Sequence, residues 1–216
     1  YSDQNETVQI NLKVADSDTR LQVEVPDFLG ENFRDLVELK ESELVSKWLN
    51  DTDTLVYFMN EVTPPEFEDD HGPEDDESPM PAKDVPPFSI KTISAVAMNI
   101  MVLKCLLSKK TFKKVVIVLS WWDKNTENGV VPNNPQKYLK EYSPALFNFI
   151  QYHIPKFEII GLSAQGQEYP KEDQGNYEAT KKEIKAKTRE GKRSFVEIED
   201  KILHDLSLPL YLLIKE

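Results

Sequence analysis

The sequence predicts an α/β fold: a doubly wound, mostly parallel sheet with helices on both faces. Three observations carry this. Short apolar runs such as Val115 to Leu119 (VVIVL) and Phe157 to Leu162 (FEIIGL) have the length and β-branched content of buried strands. Longer segments with apolar residues at helical spacing lie between them. The chain has 216 residues, 39% of them hydrophobic, which suffices for one sizeable core. A single domain over 1–216 is therefore expected.

The elements follow in order. Val8, Ile10, Leu12 and Val14 alternate with polar residues, and so does Leu21 to Val25. The connection Ala15 to Thr19 is short and polar, so these two strands form one antiparallel hairpin. Phe33, Leu36, Val37, Leu39, Leu44, Val45 and Trp48 recur at roughly helical spacing, and Thr54 to Met59 (TLVYFM) fits a buried strand. Ser89 to Leu107 reads as a broad-faced helix and Val115 to Leu119 as the most buried, central strand. Pro135 to His153 is helical with a break near Pro144, because proline lacks the N–H a helix interior uses. Phe157 to Leu162 is the next strand, and Ile198 to Ile214 is expected to be helical, interrupted at Pro209.

Charge is concentrated in two insertions. The formal net charge is −12, from 26 basic and 38 acidic residues. Residues 61–87 hold ten acids, one base and seven of the fourteen prolines, so that segment alone carries −9 and is expected to be an extended, mobile acidic loop. The second insertion, residues 170–195, is basic, with eight Lys and Arg against five acids between Pro170 and Arg193. It reads as a solvated Lys- and Glu-rich helix before it reads as a phosphate or nucleic-acid contact, since interleaved aromatics are lacking. Nucleic acid is thus disfavoured as a partner.

Several classes are excluded or weakened. No apolar run approaches the roughly 18 residues of a membrane span. One cysteine, Cys105, excludes an internal disulfide framework, and a cytoplasmic setting is expected. Cys105 sits in an apolar helix and reads as core. His71, His153 and His204 are scattered, and the acids around His71 lack the spacing of a calcium loop. Gly161-Leu162-Ser163-Ala164-Gln165 misses the final glycine of a hydrolase nucleophile elbow by one place.

In open α/β sheets ligands sit beyond the carboxyl ends of the strands, so the residues following each strand matter most. Pro26-Asp27-Phe28-Leu29-Gly30-Glu31 follows the hairpin, Ser120-Trp121-Trp122-Asp123 follows Leu119, and Ser163-Ala164-Gln165-Gly166 follows Leu162. In this order they resemble the back half of a P-loop GTPase. More specifically, the chain resembles the double-GTPase family, a bacterial branch found in conflict and defence gene neighbourhoods. That family recurrently shows Asp-x-x-Gly-Glu, a Thr-x-Trp-Asp-like guanine box and a Ser-Ala-Gln-Gly loop. Tyr138-Leu139, Ser143-Pro144-Ala145-Leu146 and Leu208-Pro209-Leu210 also look similar, and the likeness covers most of Leu21 to Leu213 outside the two insertions.

The resemblance implies a GTPase-like fold that binds GTP or GDP with Mg²⁺ and hydrolyses GTP as a switch, with a further protein as partner. It implies that Asp27 acts on the magnesium through a water, that Gly30 contacts the γ-phosphate, and that Glu31 positions the attacking water as the catalytic residue. Asp123 would read guanine within the Ser120, Trp121, Asp123 box, and Ser163 and Ala164 would shape the base pocket. The residue types suit these tasks: a glycine brings its backbone N–H close to phosphate, and a carboxylate accepts from guanine's N1–H and amine. Two departures stand out. Trp121 replaces the family's lysine, and either packs over the base or belongs to the core, whereas Trp122 reads as core. No Gly-x-x-x-x-Gly-Lys-Ser/Thr occurs in the chain. The chain opens at Tyr1 rather than Met, so two expectations stand side by side: a phosphate loop upstream of Tyr1, or a degenerate, non-catalytic GTPase-like interaction module.

The acidic segment has too few apolar residues to bury much surface. Replacing Glu66–Lys83 with a short Gly-Ser linker should leave the melting temperature within a few degrees in a thermal scan. A large drop would show the segment to be docked.

Overall fold

The computed structural model describes residues 7–13, 18, 20–26, 35–38, 43–60, 62, 93–124, 134–167, 169 and 175–214. Asp27, Gly30 and Glu31 lie outside these, as does the acidic segment 61–87 apart from Val62. The chain divides into two compact units, Tyr1–Asp53 with Met101–Thr111, and Thr54–Ile100 with Phe112–Glu216.

In the first unit, β1 (Thr7–Lys13) and β2 (Arg20–Pro26) form the antiparallel hairpin that their alternation predicts, with Ile10 opposite Val23 and Leu12 opposite Leu21. The helical spacing after Gly30 yields a helical turn at residues 35–37 and then α1 (Glu43–Asp51), which buries Val45 and Leu49. Lys110 donates to the Asn50 carbonyl at 3.1 Å and pairs with Asp53 at 3.6 Å. A cation at the carbonyl-rich end of a helix opposes the negative end of its dipole.

The second unit is built on a five-stranded sheet in the order β3 (Thr54–Met59), β4 (Lys114–Ser120), β5 (Phe157–Ser163), β6 (Phe195–Ile198) and β7 (Lys201–Leu203). The first three strands are parallel and the last two antiparallel. Every residue of β4 from Lys114 to Leu119 is buried, as its unbroken apolar run requires. Successive side chains point to opposite faces. Val116 and Val118 therefore share one face with Ile160 and Val196, where they pack with Leu212 of α6 (Leu208–Ile214). Among the described residues β3 pairs only with β4, and Leu55 and Met59 of this strand are buried while Phe58 is exposed.

The intervening helices begin where the sequence supplies caps. Ser94 accepts from the Ala97 N–H at the start of α2 (Ala95–Lys109). Tyr57 of β3 donates to Asn99 of this helix at 3.0 Å, and burial pushes the Tyr57 phenol up. The expected break at Pro144 separates α3 (Pro135–Tyr142) from α4 (Pro144–His153), with Ser143 between them.

The C-terminal third corrects the sequence reading of the tail. Residues 198–214 are not one interrupted helix. Phe195–Ile198 and Lys201–Leu203 are paired strands, and Glu199 takes the turn between them at φ 52°. Only Leu208–Ile214 is helical, and Pro209 lies in its first turn, where no N–H is needed. Asp205 accepts from the N–H and hydroxyl of Ser207 just before that helix, and these two bonds hold its carboxyl below the usual range. The basic insertion forms α5 (Tyr177–Arg189), an exposed helix anchored by Ile184, which agrees with the solvated-helix expectation.

Ile117 is wholly buried, in register with Tyr57 on one side and Ile159 on the other. Ile117→Ala should lower unfolding free energy by about 2–5 kcal/mol in denaturant titration. A loss below about 1 kcal/mol would contradict a central role for β4.

Candidate functional site

The carboxyl ends of β4 and β5 lie side by side, because these strands are parallel and in register from Val115 opposite Phe157 to Ser120 opposite Leu162. The residues that leave them therefore meet at one edge of the sheet. Ser120 ends β4, and its hydroxyl donates to the Met59 carbonyl at 3.0 Å, tying the end of β4 to the end of β3. The chain then turns sharply. Trp121 has φ 56°, a left-handed conformation that a bulky residue adopts only when its surroundings impose it. A 3₁₀ turn, Trp122–Lys124, follows, closed by the Lys124 N–H on the Trp121 carbonyl at 2.8 Å.

That turn sends the adjacent tryptophans to opposite environments. Trp122 is wholly buried, as the sequence reading expects, while Trp121 is 58% exposed and does not belong to the core. The Trp122 indole lies so close to β5 that a Cβ on Gly161 would stand 2.4 Å from the ring, so only glycine fits there. Tyr138 of α3 meets the ring edge-on with centroids 5.2 Å apart. The indole N–H donates to the buried carboxylate of Glu197 in β6 at 2.7 Å. The other oxygen of Glu197 accepts the backbone N–H of Asn134 at 3.1 Å. Asn134 in turn caps α3 by accepting from the Lys137 N–H.

Asp123 is thereby held beside β5. Its carboxylate accepts a hydrogen bond from the hydroxyl of Ser163, a buried residue at the last position of that strand. The Ser163 oxygen also accepts the Gly166 N–H at 2.7 Å, which curls Ser163-Ala164-Gln165-Gly166 into a tight turn. Gly166 has φ 74°, and a Cβ there would fall 1.7 Å from the Arg193 carbonyl oxygen. Arg193 secures the turn from outside: its Nε donates to the Gln165 carbonyl at 2.9 Å, and its guanidinium lies 4.6 Å from the Tyr169 ring centroid. Ala164 is exposed on the turn.

Of the residues singled out in the sequence, Asp123 and Ser163 are thus in direct contact, with Ala164 next to them. Ser120 serves the strand ends, and Trp121 stands on the surface two residues before Asp123. Asp27, Gly30 and Glu31 are outside the described residues. Sequence reasoning gave no role to Glu197, Arg193 or Lys124, and met Gly161 only as the residue that opens the Gly161–Gly166 stretch. Glu197 carries a signal in hindsight, a lone acid inside the apolar Phe195-Val196-Glu197-Ile198 run, whereas Arg193 is hidden among other bases. Among the described residues no three or more His, Cys, Asp or Glu side chains gather as a metal site, and no helix is long and apolar enough to cross a membrane.

The donor set has a definite chemistry. Among the described residues only Ser163 is hydrogen-bonded to Asp123. A carboxylate has about four acceptor positions, so most of its capacity to accept is left over.

No curated protein and no solved structure gives a match. The family model for Double-GTPase 1 matches residues 1–213, nearly the whole chain and both motifs at the sheet edge. The chain belongs to the Double-GTPase 1 family and is a GTPase-like nucleotide-binding domain.

Proposed function

We propose that the protein acts as a single domain that binds a guanine nucleotide at the carboxyl ends of β4 and β5 and hydrolyses GTP as a magnesium-dependent switch. The observation that carries the guanine assignment is the hydrogen bond from Ser163 to Asp123, which joins two motifs forty residues apart in the chain. It orients the carboxylate without exhausting its acceptors. Asp123 reads the N1–H and amine of the base, and Ala164 offers backbone and a small side chain on the adjoining turn.

The phosphate half of the site rests on family membership and on the motif Asp27-Phe28-Leu29-Gly30-Glu31. Asp27 would hold Mg²⁺ through a water, Gly30 would bring its N–H to the terminal phosphate, and Glu31 would position the attacking water. Magnesium, when bound, neutralises charge that develops on the phosphate oxygens. The family resemblance suggests a role in a bacterial conflict or defence system. A second reading is a degenerate, non-catalytic GTPase-like module that engages another protein, which would apply if the full-length protein held no Gly-x-x-x-x-Gly-Lys-Ser/Thr.

Competitive binding of GTP, ATP and XTP in magnesium, on the full-length protein with any residues upstream of Tyr1, separates these readings. The wild type should prefer GTP. Xanthine carries a carbonyl where guanine carries the amine, so Asp123→Asn should weaken GTP and strengthen XTP, since a buried polar site rejects a ligand that leaves its groups unpaired. Equal affinity for ATP and GTP in the wild type would remove the guanine assignment. Failure to bind any nucleotide would establish the interaction module as the better account.

A further inference from the structure

Helix α5 is solvated, but the basic insertion that carries it ends at the turn following β5. Gly191 closes the helix at φ 67°, a left-handed cap in which the Lys192 N–H donates to the Lys187 carbonyl at 2.8 Å. Beyond the cap, Arg193 lies against Ser163-Ala164-Gln165-Gly166, with its own carbonyl where a Gly166 side chain would stand. Its guanidinium spans two acceptors: Nε donates to the Gln165 carbonyl at 2.9 Å and Nη1 to the Tyr169 hydroxyl at 3.0 Å. From the last turn of α5, the Lys187 ammonium donates to the Gln167 side chain at 2.9 Å. Two cations of the insertion thus hold Gln165, Gln167 and Tyr169.

The hold continues inward. Gly166, next to Gln165, donates its N–H to the Ser163 oxygen at 2.7 Å, and the same hydroxyl donates to Asp123. A rigid planar guanidinium fixes the direction of both its acceptors, which a flexible ammonium does not. We propose that Arg193 is a positioning residue for guanine discrimination: by fixing the turn it fixes the Ser163 hydroxyl, and through that hydroxyl the Asp123 carboxylate. This rests on the guanine-binding reading and gives the basic insertion a part in it.

The test measures GTP and ATP affinities in magnesium on the full-length protein with any residues upstream of Tyr1. Arg193→Met keeps an unbranched apolar stem but removes every donor. It should lower the GTP-to-ATP affinity ratio by roughly 2- to 10-fold, the worth of about one hydrogen bond, through weaker GTP with ATP little changed. In an Asp123→Ala background the same substitution should leave the ratio unchanged, because residues in one network do not add. Tyr169→Phe removes only the outer acceptor and should shift the ratio in the same direction by a smaller factor. If Arg193→Met does not fold, Tyr169→Phe decides, and a wild-type ratio in it overturns the proposal. A wild-type ratio in folded Arg193→Met, including one in which both nucleotides weaken alike, overturns the role of Arg193 and leaves the Asp123 reading intact. So does an equal further fall in the Asp123→Ala background. Absence of any guanine preference, or of any nucleotide binding, in the wild type overturns both.

Discussion

A buried carboxylate is tolerated only when its oxygens find donors, and Glu197 finds two: the Trp122 indole N–H and the Asn134 backbone N–H. This mutual satisfaction organises the edge of the second unit. The indole also needs an acceptor once buried, so neither group has a better arrangement elsewhere. Three elements are fixed by it: the turn after β4, strand β6 and the start of α3. Gly161 completes the arrangement by leaving room for the ring against β5. Asp123 follows Trp122 directly, so placing the indole also places the carboxylate beside Ser163.

The sheet explains why this edge suits a ligand. β3, β4 and β5 run parallel, so their carboxyl ends open on the same side. The hydroxyl of Ser120 ties the first two ends together, and Ser163 bridges the second and third through Asp123. β6 runs antiparallel to β5, which brings Arg193, just before β6 begins, to the Ser-Ala-Gln-Gly turn. Gly166 and Arg193 then approach so closely that no side chain fits between them. The turn is held from within by Ser163 and from outside by Arg193.

Much of this was legible in the sequence. The hairpin, the three parallel strands and the helix break at Pro144 follow from alternation, apolar runs and the missing proline N–H. The β6–β7 pair was not legible, and the reason is physical. Glu197 interrupts an apolar run, so the run reads as too polar for a strand, yet that same acid is the partner the site requires. Periodicity is equally silent on Trp121 and Trp122. A strand would send neighbours to opposite faces, but the chain has already left β4, and a left-handed residue decides which ring is buried. The pairing of Asp123 with Ser163 was legible only as two motifs at two strand ends. Their contact depends on the register of β4 against β5, which no local pattern encodes.

In the guanine-binding reading proposed above, the Glu197–Trp122 brace is what aims Asp123 at the base. The most direct measurement is a double-mutant cycle on the GTP-to-ATP affinity ratio, using Glu197→Ala, Asp123→Ala and the double variant, each first shown to be folded. If the brace acts through Asp123, Glu197→Ala should reduce discrimination, and the double variant should lose no more than Asp123→Ala alone, because residues in one network do not add. Wild-type discrimination in folded Glu197→Ala, or losses that add in the double variant, would contradict the account.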